Sequence, residues 1–199
     1  MKTRPRTAVF FAVLAVTVAA CASTTLDSTW RDPTYEGRPF AKVLVIGSTD
    51  SPASRRVFED VVVGELRRQG VEAVASYTLI SGASDITRDR VVEAVTRSGA
   101  DSVLSTRLVG TETRTAQVPV PSPGAGGLDL YRYYSPVEAP TTVQQDYRVT
   151  KVESDLFDAR TGKMVWWGRM RADRATDIGR IGRDLGQNVI QALKSADLL

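Results

Sequence analysis

Lys42-Val43-Leu44-Val45-Ile46-Gly47, followed closely by Ser51-Pro52, is the stretch on which the fold turns. A continuous apolar run this short suits a strand buried on both faces. Ser51 then offers a helix N-cap, and Pro52 takes the first helical position. Phe58, Val61, Val62 and Leu66 recur at helical spacing up to Gln69, and Gly70 is the expected stop. Val71–Ser76 reads as a second strand. A second helix opens at Asp85 or Thr87, carries Val91, Ala94 and Val95, and stops at Gly99. Asp101–Leu108 is a third strand. The unit is strand-helix-strand-helix-strand, and its crossovers favour parallel pairing.

Downstream the character changes. Residues 119–140 are rich in Pro and Gly, and strands follow from Val143 to Phe157 and from Met164 to Ala172. Asp158-Ala159-Arg160-Thr161-Gly162-Lys163 joins them as a hairpin turn, with Gly162 able to take positive φ. A last helix starts near Asp177 and lines up Ile178, Ile181, Leu185, Val189 and Leu193 on one face. Gly179, Gly182 and Gly186 crowd that helix, which suits close packing on the sheet. Trp166 and Trp167 are adjacent in a strand, so they point to opposite faces. Both faces then need cover. The expected fold is α/β: a three-layer α/β/α single domain over residues 39–199, with a mixed five-stranded sheet and the order β-α-β-α-β-β-β-α.

Upstream, residues 1–20 carry Lys2, Arg4 and Arg6 and then an apolar stretch from Ala8 to Ala20. Thirteen residues are too few to cross a hydrocarbon core of about 30 Å as a helix. The pattern is that of a secretory signal peptide. It ends in Val18-Ala19-Ala20-Cys21, which resembles the lipobox of bacterial lipoproteins. That resemblance implies acylation of Cys21 and cleavage before it. Ala22 follows, where lipoproteins retained at the inner membrane carry Asp, so the resemblance implies the outer membrane of a Gram-negative envelope. Residues 21–38 then read as a lipidated N-terminus and a polar tether. Trp30 and Tyr35 within it dock on the domain or touch the lipid interface.

The 199 residues include 26 Lys+Arg, 23 Asp+Glu, one Cys and no His, for a net charge of +3. Residues 1–20 supply three of the basic side chains and no acidic one. Without them the charges balance, and no attraction to nucleic acid is expected. Lack of His removes the usual general base. A single Cys excludes internal disulfides and CxxC motifs. No Gly-x-Ser-x-Gly or Ser-x-x-Lys nucleophile motif occurs. Gly47–Ser51 precedes a helix N-terminus but lacks a phosphate-binding glycine pattern, and Asp50 would oppose an anion. Arg55, Arg56, Glu59 and Asp60 read as a charged, solvated helix face. Asp155 and Asp158 read as a solvated turn rather than a cation site. No catalytic residue, cofactor or metal site is expected.

Contact with something else is best sought in the 119–140 loop, which holds Leu128, Leu130, Tyr131, Arg132, Tyr133 and Tyr134. Tyr and Arg are favoured at interfaces. The tyrosines either fold back on the domain or bind a partner protein.

The chain resembles an uncharacterised family of bacterial envelope lipoproteins defined by a domain of unknown function. The likeness rests on Cys21-Ala22-Ser23-Thr24-Thr25 with Trp30 and Pro33, and on Lys42–Gly47 with Arg55-Arg56 and Glu59-Asp60. It extends to Ala75-Ser76-Tyr77-Thr78-Leu79, and to Glu153–Asp158 with Gly162-Lys163-Met164-Val165-Trp166. The strand order also resembles the anticodon-binding-like α/β domain of the TolB amino-terminal type. That resemblance implies a binding or assembly module. The expected function is therefore a non-enzymatic outer-membrane lipoprotein. It is held to the membrane by lipid on Cys21, faces the periplasm and contacts another envelope protein. The alternative is a binder of a small ligand or peptidoglycan fragment, in a crevice at the strand carboxyl ends near Gly47–Ser51 and Ser76–Ser84.

Overall fold

The structure is a computed structural model that describes residues 24–82, 86–120, 141–173 and 178–199. Its elements are β1 (Thr24–Arg31), β2 (Lys42–Ser48), α1 (Pro52–Arg68), β3 (Glu72–Ala75), α2 (Arg88–Ser98), β4 (Ser102–Val120), β5 (Thr141–Asp158), β6 (Met164–Asp173) and α3 (Ile178–Ser195). A short 3-10 turn, Ser76–Thr78, follows β3. The strands form one mixed sheet in the order β1-β6-β5-β4-β2-β3. β2 pairs in parallel with β3 and β4, and the other pairings are antiparallel.

The helix signals act as the sequence implies. The Ser51 hydroxyl accepts from Ser54 N, Pro52 opens α1, and Thr87 caps α2 through Arg90 N. Gly70, Gly99 and Gly162 all have positive φ. In the β5–β6 turn, Gly162 is at +69°, and the Asp158 carboxylate accepts from the amides of Arg160 and Thr161.

The sheet has six strands rather than five. β1 is the addition, and it lies within the segment expected to be a tether. Thr24–Arg31 lacks the apolar alternation of a half-buried strand because it is a largely exposed edge. Its pairing with β6 is set by partners some 140 residues away, from Thr24↔Ala172 to Arg31↔Trp166. The domain therefore begins before residue 39. β4 also runs past Leu108 to Val120, through a bulge between Leu108 and Gly110.

Two cores flank the sheet. On one face α1 and α3 bury Phe58, Val62, Leu66, Leu185, Val189 and Leu193 against Val43, Val45, Leu104, Leu156 and Met170. On the other, α2 covers Leu44, Ile46, Val103 and Phe157 with Ala94, Val91 and Val95. The three layers thus hold over β2, β3 and the adjoining part of β4. Among the described residues no helix covers the rest of that second face. There ion pairs take over. Glu153 sits between Arg107 at 2.6 Å and Arg169 at 3.1 Å, and Glu112 between Lys151 at 2.8 Å and Arg114 at 2.6 Å. Trp166 is buried under α1 and α3. Trp167 is only half-buried on the ion-paired face, with the Arg169 guanidinium 5.8 Å from its ring centre.

Gly182 and Gly186 of α3 serve helix-on-helix packing rather than helix-on-sheet packing. A Cβ on Gly182 would meet Phe58 and Val61 of α1 at 3.5 Å, and one on Gly186 would meet Glu65 at 3.6 Å.

Candidate functional site

The chain runs β2-α1-β3 to one side of β2 and β3-α2-β4 to the other. The carboxyl ends of β2 and β4 therefore bracket a topological switch point, the usual ligand position in open α/β sheets. A crevice of about 190 Å³ opens there. Phe58, Ile181 and Leu185 line it from α1 and α3, Gly47 and Thr106 from the strands, and Leu108 at the rim. Leu108 is 57% exposed and Ile178 38%. The crevice thus has an apolar lining and an apolar mouth. Its polar groups are mostly hydroxyls, and one of them, Thr106 Oγ1, is already paired with Ser154 Oγ at 2.8 Å.

Beside the crevice lies a buried ionic network. The buried stripe of α1 includes Arg55, Phe58, Glu59, Val62 and Leu66, so helical spacing carries two charged residues into the core. Arg55 and Glu59 are 1% and 0% exposed. Arg55 Nε donates to Glu59 Oε1 at 2.9 Å, Nη1 to the carbonyls of Ile80 and Gly82, and Nη2 to Ser76 Oγ at 2.7 Å. Glu59 also accepts from Gly47 N at 2.9 Å, Ser76 Oγ at 2.7 Å and Tyr77 N at 2.8 Å. The network ties the ends of β2 and β3 and the 76–82 segment to α1. It corrects the expectation of a solvated face for this pair. The other two charges do lie at the surface. Asp60 accepts from the Tyr77 hydroxyl at 2.7 Å, and Arg56 stands 5.6 Å from the Tyr77 ring centre. That bond to Asp60 is the main reason the Tyr77 hydroxyl titrates above its ordinary range.

The signal for the buried pair was present in the sequence. Arg55 and Glu59 are four residues apart and continue the line of Val62 and Leu66. A charge on the apolar line of a helix reads as buried and paired.

Asp155 and Asp158 are not brought together as a cation site. Asp158 turns back to hold the hairpin. Asp155 belongs to the ion-paired face, where burial first and Glu153 second raise its pKa above the ordinary value. Its neighbour Glu153 is held below the ordinary range, chiefly by the hydrogen bond from Arg107.

Of the segments expected to flank a crevice, Gly47–Ser51 contributes Gly47, Ser48 and Thr49 to it, whereas Ser76–Gly82 does not line it and is bound to Arg55 and Glu59 instead. Cys21, Tyr131, Arg132, Tyr133 and Tyr134 lie outside the described residues, as do Ala83 and Ser84. Sequence reasoning missed the apolar rim, because Leu108 read only as the last residue of the third strand. Among the described residues, no helix is long and apolar enough to cross a membrane.

No protein-family model and no curated protein matches the chain. Solved structures similar to it include the PelC dodecamer from Paraburkholderia phytofirmans, at 15% identity and a TM-score of 0.48, covering 86% of this chain and 97% of that one. Lipoprotein GNA1162 from Neisseria meningitidis is similar at 15% identity and a TM-score of 0.43, covering 78% of this chain and 99% of that one. A minor lipoprotein from Acinetobacter baumannii is similar at 10% identity and a TM-score of 0.34, covering 78% of this chain and 94% of that one.

Proposed function

We propose that the chain is a non-catalytic interaction or assembly module of the bacterial cell envelope. Lipid on Cys21 anchors it at the periplasmic face of the outer membrane, and it binds another envelope protein. One observation carries the reading: the switch-point crevice is apolar, has Leu108 and Ile178 exposed at its rim, and adjoins charges that are already committed. Arg55 and Glu59 serve each other and the 76–82 segment, and Arg107 serves Glu153. Such a site suits an apolar anchor side chain better than bond-making chemistry. The 131–134 tyrosines extend the same reading as a second contact.

The crevice position also favours a second reading, a small ligand or peptidoglycan fragment at the strand ends. Against it, 190 Å³ falls below the roughly 300 Å³ at which drug-sized ligand pockets begin. A photo-crosslinking residue placed at Leu108, in cells, separates the two. Capture of one specific envelope protein supports the first. No capture, with a muropeptide raising the melting temperature of the purified protein, supports the second.

A further inference from the structure

If Cys21 is acylated, as the functional reading above holds, the sequence fixes how closely the domain approaches its membrane. Only Ala22 and Ser23 separate Cys21 from Thr24, the first residue of β1. Three residue steps reach at most about 11 Å. A free tether of seventeen residues would have left the orientation open, whereas this one constrains it.

The strand ladder narrows the choice further. Thr24 lies level with Ala172, Thr150 and Thr111 along successive pairings. Beyond that end β6 stops at Asp173, but β4 and β5 continue together for eight more pairs, from Thr113↔Arg148 to Val120↔Thr141. At about 3.4 Å per residue this arm projects roughly 27 Å. It carries Thr113, Arg114, Thr115 and Gln117 on one strand, and Gln144, Gln145, Asp146 and Arg148 on the other, with Val118 and the exposed Val143 toward its far end. These charged and amide side chains, on a ribbon whose outer edges pair with no strand among the described residues, do not enter hydrocarbon. An upright domain on an 11 Å tether would drive the arm into the bilayer. The strands must instead lie along the membrane plane.

The edge that faces down is then β1, since β3 bounds the other side of the sheet, five strand spacings or about 24 Å away. The chemistry of β1 suits that position. Leu26 and Trp30 are its large apolar side chains, 37% and 39% exposed. They straddle the edge. Leu26 pairs with Met170 on the α1/α3 face, and Trp30 pairs with Trp167 on the ion-paired face. Between them lie Asp27, whose charge is paired with Arg171 at 3.8 Å, and the short Ser28 and Thr29. An indole at headgroup depth places its ring in the apolar boundary and its N–H among polar groups.

We infer that β1 is the membrane-apposed edge of the domain, lying flat on the lipid surface with Trp30 and Leu26 seated in the headgroup region.

The test uses the full-length, lipid-modified protein in vesicles of phosphatidylethanolamine and phosphatidylglycerol containing a headgroup-depth spin-labelled lipid as quencher. Acylation consumes the native thiol, so Ser28→Cys on β1 and Glu72→Cys on β3 each take one fluorophore. The expected result is quenching of the Ser28→Cys label at least threefold greater than that of the Glu72→Cys label. Equal quenching, or stronger quenching at Glu72→Cys, overturns the inference. So does an unquenched Ser28→Cys label with crosslinking between copies, which would show that a second copy covers the edge. Mass measurement of the amino-terminal peptide keeps the premises apart. Acylated protein that floats with vesicles yet is not quenched at Ser28→Cys sinks the docking alone. Absence of acyl mass sinks the anchor as well.

Discussion

The ring of Trp166 lies against the backbone of Gly168, two residues along the same strand, so closely that a Cβ on Gly168 would come within 2.8 Å of the ring atom Cζ2. Glycine in a strand interior weakens it through backbone entropy. Here it makes room for one of the largest fully buried side chains in the domain. Gly168→Ala is expected to push the indole out of its seat and cost about 1–3 kcal/mol, as overpacking does. Urea denaturation checks it. A change under about 0.5 kcal/mol would mean that the ring relocates freely.

Glu59 accepts four hydrogen bonds in the core, so Glu59→Gln should be among the most damaging single changes. It leaves the Arg55 charge buried without its partner, an imbalance that costs about 3–5 kcal/mol. Arg55→Met with Glu59→Leu removes both charges but leaves the Gly47 and Tyr77 amides and the Ile80 carbonyl without these partners, so it should cost less than the sum of the two single changes yet recover only part of the loss. A double-mutant cycle read by chemical denaturation decides it. Additive losses would show that the two residues act separately.

The ion-paired face gives two opposite pH signatures. Glu153 has a lowered folded pKa, so its contribution is present above the ordinary glutamate value of 4.5 and is lost as pH falls through the depressed value. Glu153→Gln should therefore lose about 1 kcal/mol at neutral pH, and the gap should close in acid. Asp155 has a raised folded pKa, so its penalty develops as pH rises from 3.8 through the raised value. Asp155→Asn should gain less than about 1 kcal/mol at neutral pH and nothing in strong acid. Melting curves across pH test both signs, and parallel shifts in the two variants would contradict the assignment.

Cys21→Ser should abolish lipid labelling and leave the protein uncleaved or free of the membrane. Labelled palmitate incorporation in cells measures it. Normal incorporation in the variant would place the acyl group elsewhere.

Legibility followed the range of the forces involved. Local signals identified α1 and α2 by their caps and located the Gly162 turn. The continuous run from Val43 to Ile46 identified a buried central strand. β1 was not legible, because an exposed edge strand needs no apolar alternation and draws its register from residues such as Ala172 and Trp166. The adjacent tryptophans implied two covered faces, yet Trp167 sits among arginines and carboxylates, where ion pairs do the covering. The candidate crevice was legible in part, at the end of β2, but its other wall is β4 rather than the segment after β3. Its apolar rim was not, because the exposure of Leu108 depends on how the start of α3, at Ile178 and Ile181, packs beside it.

β1 also sets an order of events. Among the described residues it pairs only with β6, from Thr24↔Ala172 to Arg31↔Trp166, and its ends are held by Asn188 of α3, which donates to the Thr24 carbonyl, and by Arg31, which donates to the Ala196 carbonyl just beyond α3. In a chain made from its amino terminus, the first strand to emerge is among the last to be satisfied. The β2–β4 unit can assemble early, but β1 waits for about 140 more residues, and that long closure is of the kind that slows folding. A shortened chain ending before β6 would expose a strand with no partner, and hence a ready template for aggregation.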